Sequence, residues 1–193
     1  MKVLAVLGSG RSRGNSSKAM AAAIDGMAHN SPTLEMVELG KLKNIHPCRG
    51  CDGCRRNKRY ECVNKDELLA IIHEAREADT ILISAPIYFF GFNSLTKLFM
   101  ERTFYSSEGY DGGPSLLSRK RFGLILTYGG ADLDDSGARN AIGTFRDMSR
   151  YVGFQVEGIV HGTASEKDGP SETMLEECRE LGSRLSANVD SAT

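Results

Sequence analysis

Apolar and polar positions along the chain switch between two kinds of pattern. Residues 3–7 are an unbroken apolar run, the mark of a short strand buried on both faces. Residues 16–29 have helical composition, and Asn30-Ser31-Pro32 ends them. Residues 33–39 alternate and predict a second strand. An aperiodic stretch, 40–63, follows, and a loop of that length usually carries function. Asn64 or Asp66 can cap the next helix, whose Leu68, Leu69, Ile71 and Ile72 run toward residue 77. Residues 80–84 predict a third strand stopped by Pro86, and Ser94 opens a helix through Leu95, Leu98 and Phe99 to residue 104. After a second long loop, 105–120, a fourth strand covers 121–127. Asp134 or Asp135 can cap a helix through Ala141, Ile142, Phe145, Met148 and Tyr151. A fifth strand covers 154–160, and an amphipathic helix covers 172–189. With no repeat or linker, the pattern predicts one domain over 1–193 with a cysteine-rich loop at 40–63.

Strands alternating with helices call for an α/β fold, a parallel sheet covered on both faces and joined by right-handed crossovers. A doubly wound, five-stranded sheet in the order 2-1-3-4-5 fits this length. Its ligand sits beyond the carboxyl ends of the strands, where strands 1 and 3 diverge. Three loops meet there. The first is Gly8-Ser9-Gly10-Arg11-Ser12-Arg13-Gly14-Asn15-Ser16-Ser17. It opens a helix, whose unpaired amides and positive dipole end suit an anion. It lacks the Gly-Lys-Ser/Thr ending of a nucleoside-triphosphate loop, and Arg13 stands where a dinucleotide fingerprint needs its third glycine. A single terminal phosphomonoester matches its hydroxyls and arginines; the alternative is an ordinary turn with an Asn or Ser cap.

The second loop, Pro86-Ile87-Tyr88-Phe89-Phe90-Gly91-Phe92-Asn93, offers aromatic and apolar contact. In the third, Thr127 to Asp132, Tyr128-Gly129-Gly130 offers backbone that a flat ring can approach. A mononucleotide with a planar ring system, flavin mononucleotide (FMN), satisfies all three loops. The candidate cofactor residues are Ser9, Arg11, Gly14, Asn15, Ser16, Pro86, Ile87, Tyr88, Phe89, Gly91, Asn93, Tyr128, Gly129 and Gly130. For the aromatics the alternative is core or interface packing; Asp132, Asp134 and Asp135 read as helix caps.

Charge narrows the partners. Net charge is −1, from 24 basic and 25 acidic residues, with no footprint for nucleic acid. No apolar run has the length of a membrane span, and the first strand enters the glycine loop without a cleavage region, so the expected compartment is the cytoplasm. Four of five cysteines crowd one loop, unlike a disulfide framework. Cys48, Cys51 and Cys54 follow a C-x2-C-x2-C pattern, and Cys62 comes after seven intervening residues. Such thiolates can wrap a [4Fe–4S] cubane, with Gly50 and Gly53 letting the backbone curl. Zinc is the second reading, although structural zinc prefers two separated pairs. Free, reactive thiols activated by Arg49, Arg55, Arg56, Lys58 and Arg59 are the third. Cys178 takes no role.

These residues carry a family resemblance. Gly8-Ser9-x-Arg11-x-x-Gly14-Asn15-Ser16 resembles the phosphate loop of the NADPH-dependent FMN reductase family, which has the flavodoxin-like fold. Pro86-Ile87-Tyr88, with Leu95-Thr96-Lys97, Glu101 and Arg102, is similar to that family's second flavin loop and following helix. Cys48, Cys51, Cys54 and Cys62, with Lys65-Asp66 behind them, resemble the iron–sulfur flavoprotein branch. The resemblance covers residues 1–130 and implies an FMN-binding redox protein with a [4Fe–4S] cluster at those cysteines. It implies a homodimer or homotetramer that brings cluster and flavin of different subunits near, with loop 105–114 available to the interface. It also implies ferredoxin or NAD(P)H as electron partner. The alternatives are an NAD(P)H-dependent FMN or quinone reductase without a cluster, and a non-enzymatic electron carrier or redox sensor.

Overall fold

Val3, Ala5 and Leu7 face one side of the first strand, Leu4 and Val6 face the other, and all five are fully buried. Such a strand needs a helical layer on each side. The computed structural model describes residues 1–56, 60–108, 113–165 and 167–187. In chain order its elements are β1 (Lys2–Leu7), α1 (Asn15–Met27), β2 (Thr33–Glu38), α2 (Gly53–Arg56), α3 (Glu67–Glu77), β3 (Thr80–Tyr88) and β4 (Gly91–Phe92). They continue as α4 (Ser94–Ser107), β5 (Arg121–Tyr128), α5 (Leu133–Ser136), α6 (Ala138–Val152), β6 (Gln155–Ser165), β7 (Gly169–Pro170) and α7 (Glu172–Ser186).

The sheet runs β2-β1-β3-β5-β6 with every neighbouring pair parallel, the expected order. Two antiparallel strands of two residues each were not expected: β4 folds back on β3, and β7 on β6. Segments this short leave no alternation to read. One face packs Leu4, Ile81, Ile83 and Leu124 against Leu68, Phe99 and Phe145 of α3, α4 and α6. The other packs Val3, Leu82 and Ile125 against Met20 of α1 and Leu181 and Leu185 of α7. Cys178 belongs to that second layer, where burial pushes its thiol up to about 12, so it packs as an apolar residue.

Pro86 does not end its strand; β3 continues through it to Tyr88. The Gly8 amide donates to the Ser84 carbonyl at 2.8 Å, so Ser84, and with it Pro86, faces β1. β1 has already ended at Leu7, and the missing proline amide breaks no ladder. The next acceptor in that register is the Gly8 carbonyl. The buried side chain of Asn93 reaches it instead, Nδ2 donating at 2.6 Å, while Thr96 Oγ1 donates to Asn93 Oδ1 at 2.5 Å. Asn93→Ala leaves that carbonyl without its donor, and urea denaturation is expected to show a loss of about 1–3 kcal/mol.

Other boundaries shifted for local reasons. The helix expected from Asp134 or Asp135 is two helices: Asp132 caps α5 by accepting from the Asp134 and Asp135 amides, and Gly137, at φ 71°, turns the chain into α6. β6 runs five residues past the expected end because the β5 register carries on to Tyr128↔Thr163. α1 gives way to a 3-10 turn at Ala28–Asn30, and α4 extends to Ser107. The last helix ends at Ser186; residues 188–189 of its expected span lie outside the described residues, as do Lys58, Arg59 and positions 109–112 of the glycine-rich loop. Among the described residues no helix is long and apolar enough to cross a membrane.

Candidate functional site

The loop after β1 is closed mostly by its own atoms. Ser9 Oγ accepts from the Arg11 amide at 3.0 Å, the Gly14 amide donates to the Arg11 carbonyl, and Ser17 Oγ donates to the Ser12 carbonyl. Asn15 Nδ2 donates to the carbonyls of Ala164 and Ser165 at 2.8 and 2.9 Å, tying the loop to β6. Ser16 Oγ pairs with Thr127 Oγ1 at 2.7 Å. Several polar side chains therefore shape the loop, and the amides of the first turn of α1 are what that helix offers an anion. That turn carries no acidic residue of its own to offset the positive helix end.

The three loops line one cleft of about 210 Å³. Ser9, Arg11, Gly14, Asn15 and Ser16 come from the first loop, Pro86, Ile87 and Tyr88 from the second, and Tyr128 and Gly129 from the third. Thr127, Ala164 and Ser165 also line it. The last two belong to the polar continuation of β6, which an apolar run ending at Val160 does not announce. Phe89, Gly91, Asn93 and Gly130 are not in the lining. Asn93 lies beneath the first loop, and Gly130 is packed against Asp135 and Ser136. Gly91 starts β4, and Phe89, 98% exposed, sits with Phe90 at the tip of the β3–β4 hairpin. Both have positive φ, 49° and 67°, and the Phe90 carbonyl accepts from Asn140 Nδ2 at 3.2 Å. Tyr128 is nearly buried, and its hydroxyl meets His161 Nδ1 at 3.0 Å. Burial, then the nearby Asp132 charge, pushes the phenol up, so it stays protonated.

A second cavity, about 30 Å³, is lined by Cys48, Cys51, Cys54 and Cys62, with Arg102, Tyr105 and Ser106 of α4 behind them. The loop curls at Gly50, Asp52 and Tyr60, with φ of 60°, 52° and 55°. Gly53 touches Val63, and a Cβ there would lie 2.4 Å from the valine methyl. Cys54 Sγ lies 3.7 Å from the Tyr105 carbonyl, and burial first, then neighbouring Cys62, pushes its thiol up. Arg102 Nη2 donates to Cys62 Sγ at 3.3 Å. Asp66 stands at the N-cap of α3 but does not cap it. Its carboxylate accepts from Arg102 Nη1 at 2.5 Å and from the His46 amide at 2.9 Å. Burial pushes the Asp66 carboxyl up, and these donors outweigh it, so its pKa ends below the usual carboxylate value. Arg55, beside Cys54 in sequence, forms a separate pair with Glu108, which also accepts from the Tyr151 hydroxyl at 2.6 Å. Among the described residues no three His, Cys, Asp or Glu side chains converge as a single metal ion requires. The two cavities share a scaffold: Asn93 and Thr96 at the start of α4 hold the Gly8 turn, and Arg102 and Tyr105 line the cysteine cavity.

A family model described as a flavodoxin-like fold matches residues 1–185. A curated relative from Archaeoglobus fulgidus, named iron–sulfur flavoprotein, is 26% identical over 99% of this chain and 81% of its own length. Among solved structures, an NAD(P)H:quinone oxidoreductase from Methanothermobacter marburgensis superposes with a TM-score of 0.76, at 17% identity over 98% of each chain. An FMN-dependent NADH-azoreductase from Bacillus anthracis str. Ames Ancestor, solved in complex with FMN, superposes with a TM-score of 0.69, at 17% identity over 96% of this chain and 99% of that one. The chain belongs to the flavodoxin-like family, in the branch of its iron–sulfur flavoprotein relatives.

Proposed function

We propose that the cleft binds FMN, that Cys48, Cys51, Cys54 and Cys62 hold a [4Fe–4S] cluster, and that the chain is an oxidoreductase linking two-electron to one-electron carriers. One observation carries the FMN reading: three loops at the strand ends of a flavodoxin-like sheet converge on one cleft beside the N-terminus of α1, whose first turn carries no acidic residue. The FMN complex of the azoreductase neighbour supports it. For the cluster, all four cysteines line one cavity, and the Arg102 guanidinium lining it keeps a buried donor, Nε, without an acceptor. The curated relative's name supports the same reading.

When bound, FMN takes up two electrons as a hydride and releases them singly, while a cluster passes one at a time. The protein's part is placement. The first-turn amides of α1, Ser9 and Arg11 hold the terminal phosphate; Ile87, Tyr88, Tyr128 and Gly129 bound the ring. Tyr128, fixed by His161, keeps a neutral hydroxyl at the cleft wall. Asn93 and Gly130 support the loops from outside the lining, and Phe89 and Gly91 belong to the hairpin at its rim. We read residues 1–193 as one domain in a cytoplasmic homodimer or homotetramer that exchanges electrons with NAD(P)H or ferredoxin.

Arg11→Ala is expected to weaken FMN binding about tenfold to a hundredfold, the scale of one charge-assisted hydrogen bond. Fluorescence titration of apoprotein with FMN tests it, and an unchanged Kd removes Arg11 from the phosphate site. A second reading, an NAD(P)H-dependent reductase without a cluster, is favoured by the small cysteine cavity, about 30 Å³. That is room for about one water, so a cubane requires the loop to open. Rapid NAD(P)H oxidation by iron-free protein would select this second reading.

A further inference from the structure

We infer that Arg102 is the positioning residue of the cysteine site: its guanidinium fixes Cys62 as a ligand and sets the reduction potential of the group the thiolates hold. The inference rests on the cluster reading above and deepens it. Arg102 stands on α4 with its side chain fully buried, and its charge partner, the Asp66 side chain, is 3% exposed. Burying such a pair is costly and by itself adds little stability.

How the donors are spent shows what the pair is arranged around. A guanidinium has five N–H donors. Nη1 donates to Asp66 Oδ2 at 2.5 Å and to the His46 carbonyl at 3.1 Å. Nη2 donates to Cys62 Sγ at 3.3 Å and to the Asn64 carbonyl at 3.1 Å. Nε has no acceptor, and neither has Asp66 Oδ1 a donor. A clamp serving only the fold would take the two-pronged pairing with the carboxylate, which satisfies both orphaned atoms. Here the fork is turned away from that pairing, toward the Cys62 sulfur and toward carbonyls on both sides of the cysteine run. His46 precedes Cys48 and Asn64 follows Cys62, so one side chain ties both ends of the loop. Lysine cannot reproduce this, because its ammonium is a point charge without a planar fork.

Positive charge and N–H···S bonds favour the more negative, reduced state of a thiolate-ligated centre, and so raise its potential. The test compares wild type, Arg102→Met and Arg102→Lys after anaerobic reconstitution with iron and sulfide. It reads iron per chain, the rate of iron loss to a chelator, the midpoint potential by redox titration, and FMN content. Arg102→Met is expected to lose iron about tenfold to a hundredfold faster than wild type, the scale of lost outer-shell support. Its remaining cluster is expected to titrate at a lower potential. Arg102→Lys, keeping charge without the fork, is expected to fall between the two, with FMN content unchanged throughout. Wild-type iron retention and potential in Arg102→Met would overturn the inference and leave the cluster reading intact. Where Arg102→Met fails to fold, the same values in Arg102→Lys would overturn it. A wild-type protein that takes up no iron overturns both.

Discussion

Cys62→Ser is expected to abolish stable iron binding while leaving FMN at the wild-type ratio. Cys62 is the proposed ligand farthest in sequence from the other three, and its sulfur is held by Arg102 Nη2 at 3.3 Å. A serine hydroxyl is a hard, poorly ionised donor where a soft thiolate is needed. The cysteine cavity and the cleft share no lining residue, so the loss is confined to one of them. The same outcome is expected for Cys48, Cys51 and Cys54. Iron analysis and released-flavin absorbance, measured on one sample, check it. Loss of FMN from every single variant would mean that the two sites do not bind independently.

Gly182→Ala is expected to give the largest loss of stability among single-methyl additions. α1 and α7 meet backbone to backbone. A Cβ on Gly182 would lie 1.8 Å from the Ala23 carbonyl oxygen, and one on Gly26 would lie 2.0 Å from the Arg179 carbonyl oxygen. Neither obstacle is a side-chain tip that can swing away, so the helices must part. Such overpacking costs about 1–3 kcal/mol and sometimes more. At the upper end it lowers Tm by about 6–12 °C for a chain of this size. Because α1 also carries the first-turn amides beneath the cleft, FMN affinity is expected to fall with stability. Gly143→Ala, on the exposed side of α6 with no atom within 4 Å of its Cβ, is the control. It is expected to raise stability by about 0.5–1 kcal/mol. Differential scanning calorimetry of both variants, with and without FMN, checks the pair.

The parallel strands were legible because strands buried on both faces leave apolar runs, and Val3 to Leu7 and Ile81 to Ile83 are such runs. The cleft was legible through composition: glycine, hydroxyl and arginine clustered after the first strand mark a loop that opens a helix. Less legible was how the side chains are spent. Asn15 and Asn93 look like ligand donors in the sequence, yet both bond to backbone carbonyls, because loops that leave a sheet must satisfy the polar groups the ladder no longer pairs. The end of β6 was missed because its outer residues are polar and half-exposed, which weakens any periodic signal. Asp66 occupies the expected cap position with its carboxylate turned to Arg102, a contact across 36 residues that no local pattern encodes.

The most direct test of the account is an absorption spectrum, with flavin, iron and sulfide analysis, of protein purified without oxygen. The predicted result is one FMN per chain, flavin bands over a broad iron–sulfur shoulder, and about four irons per chain. Flavin with no iron or sulfide after reconstitution would contradict the cluster and move the chain to the plain reductase reading. No flavin after incubation with FMN would contradict the account at its base, the anion site at the start of α1.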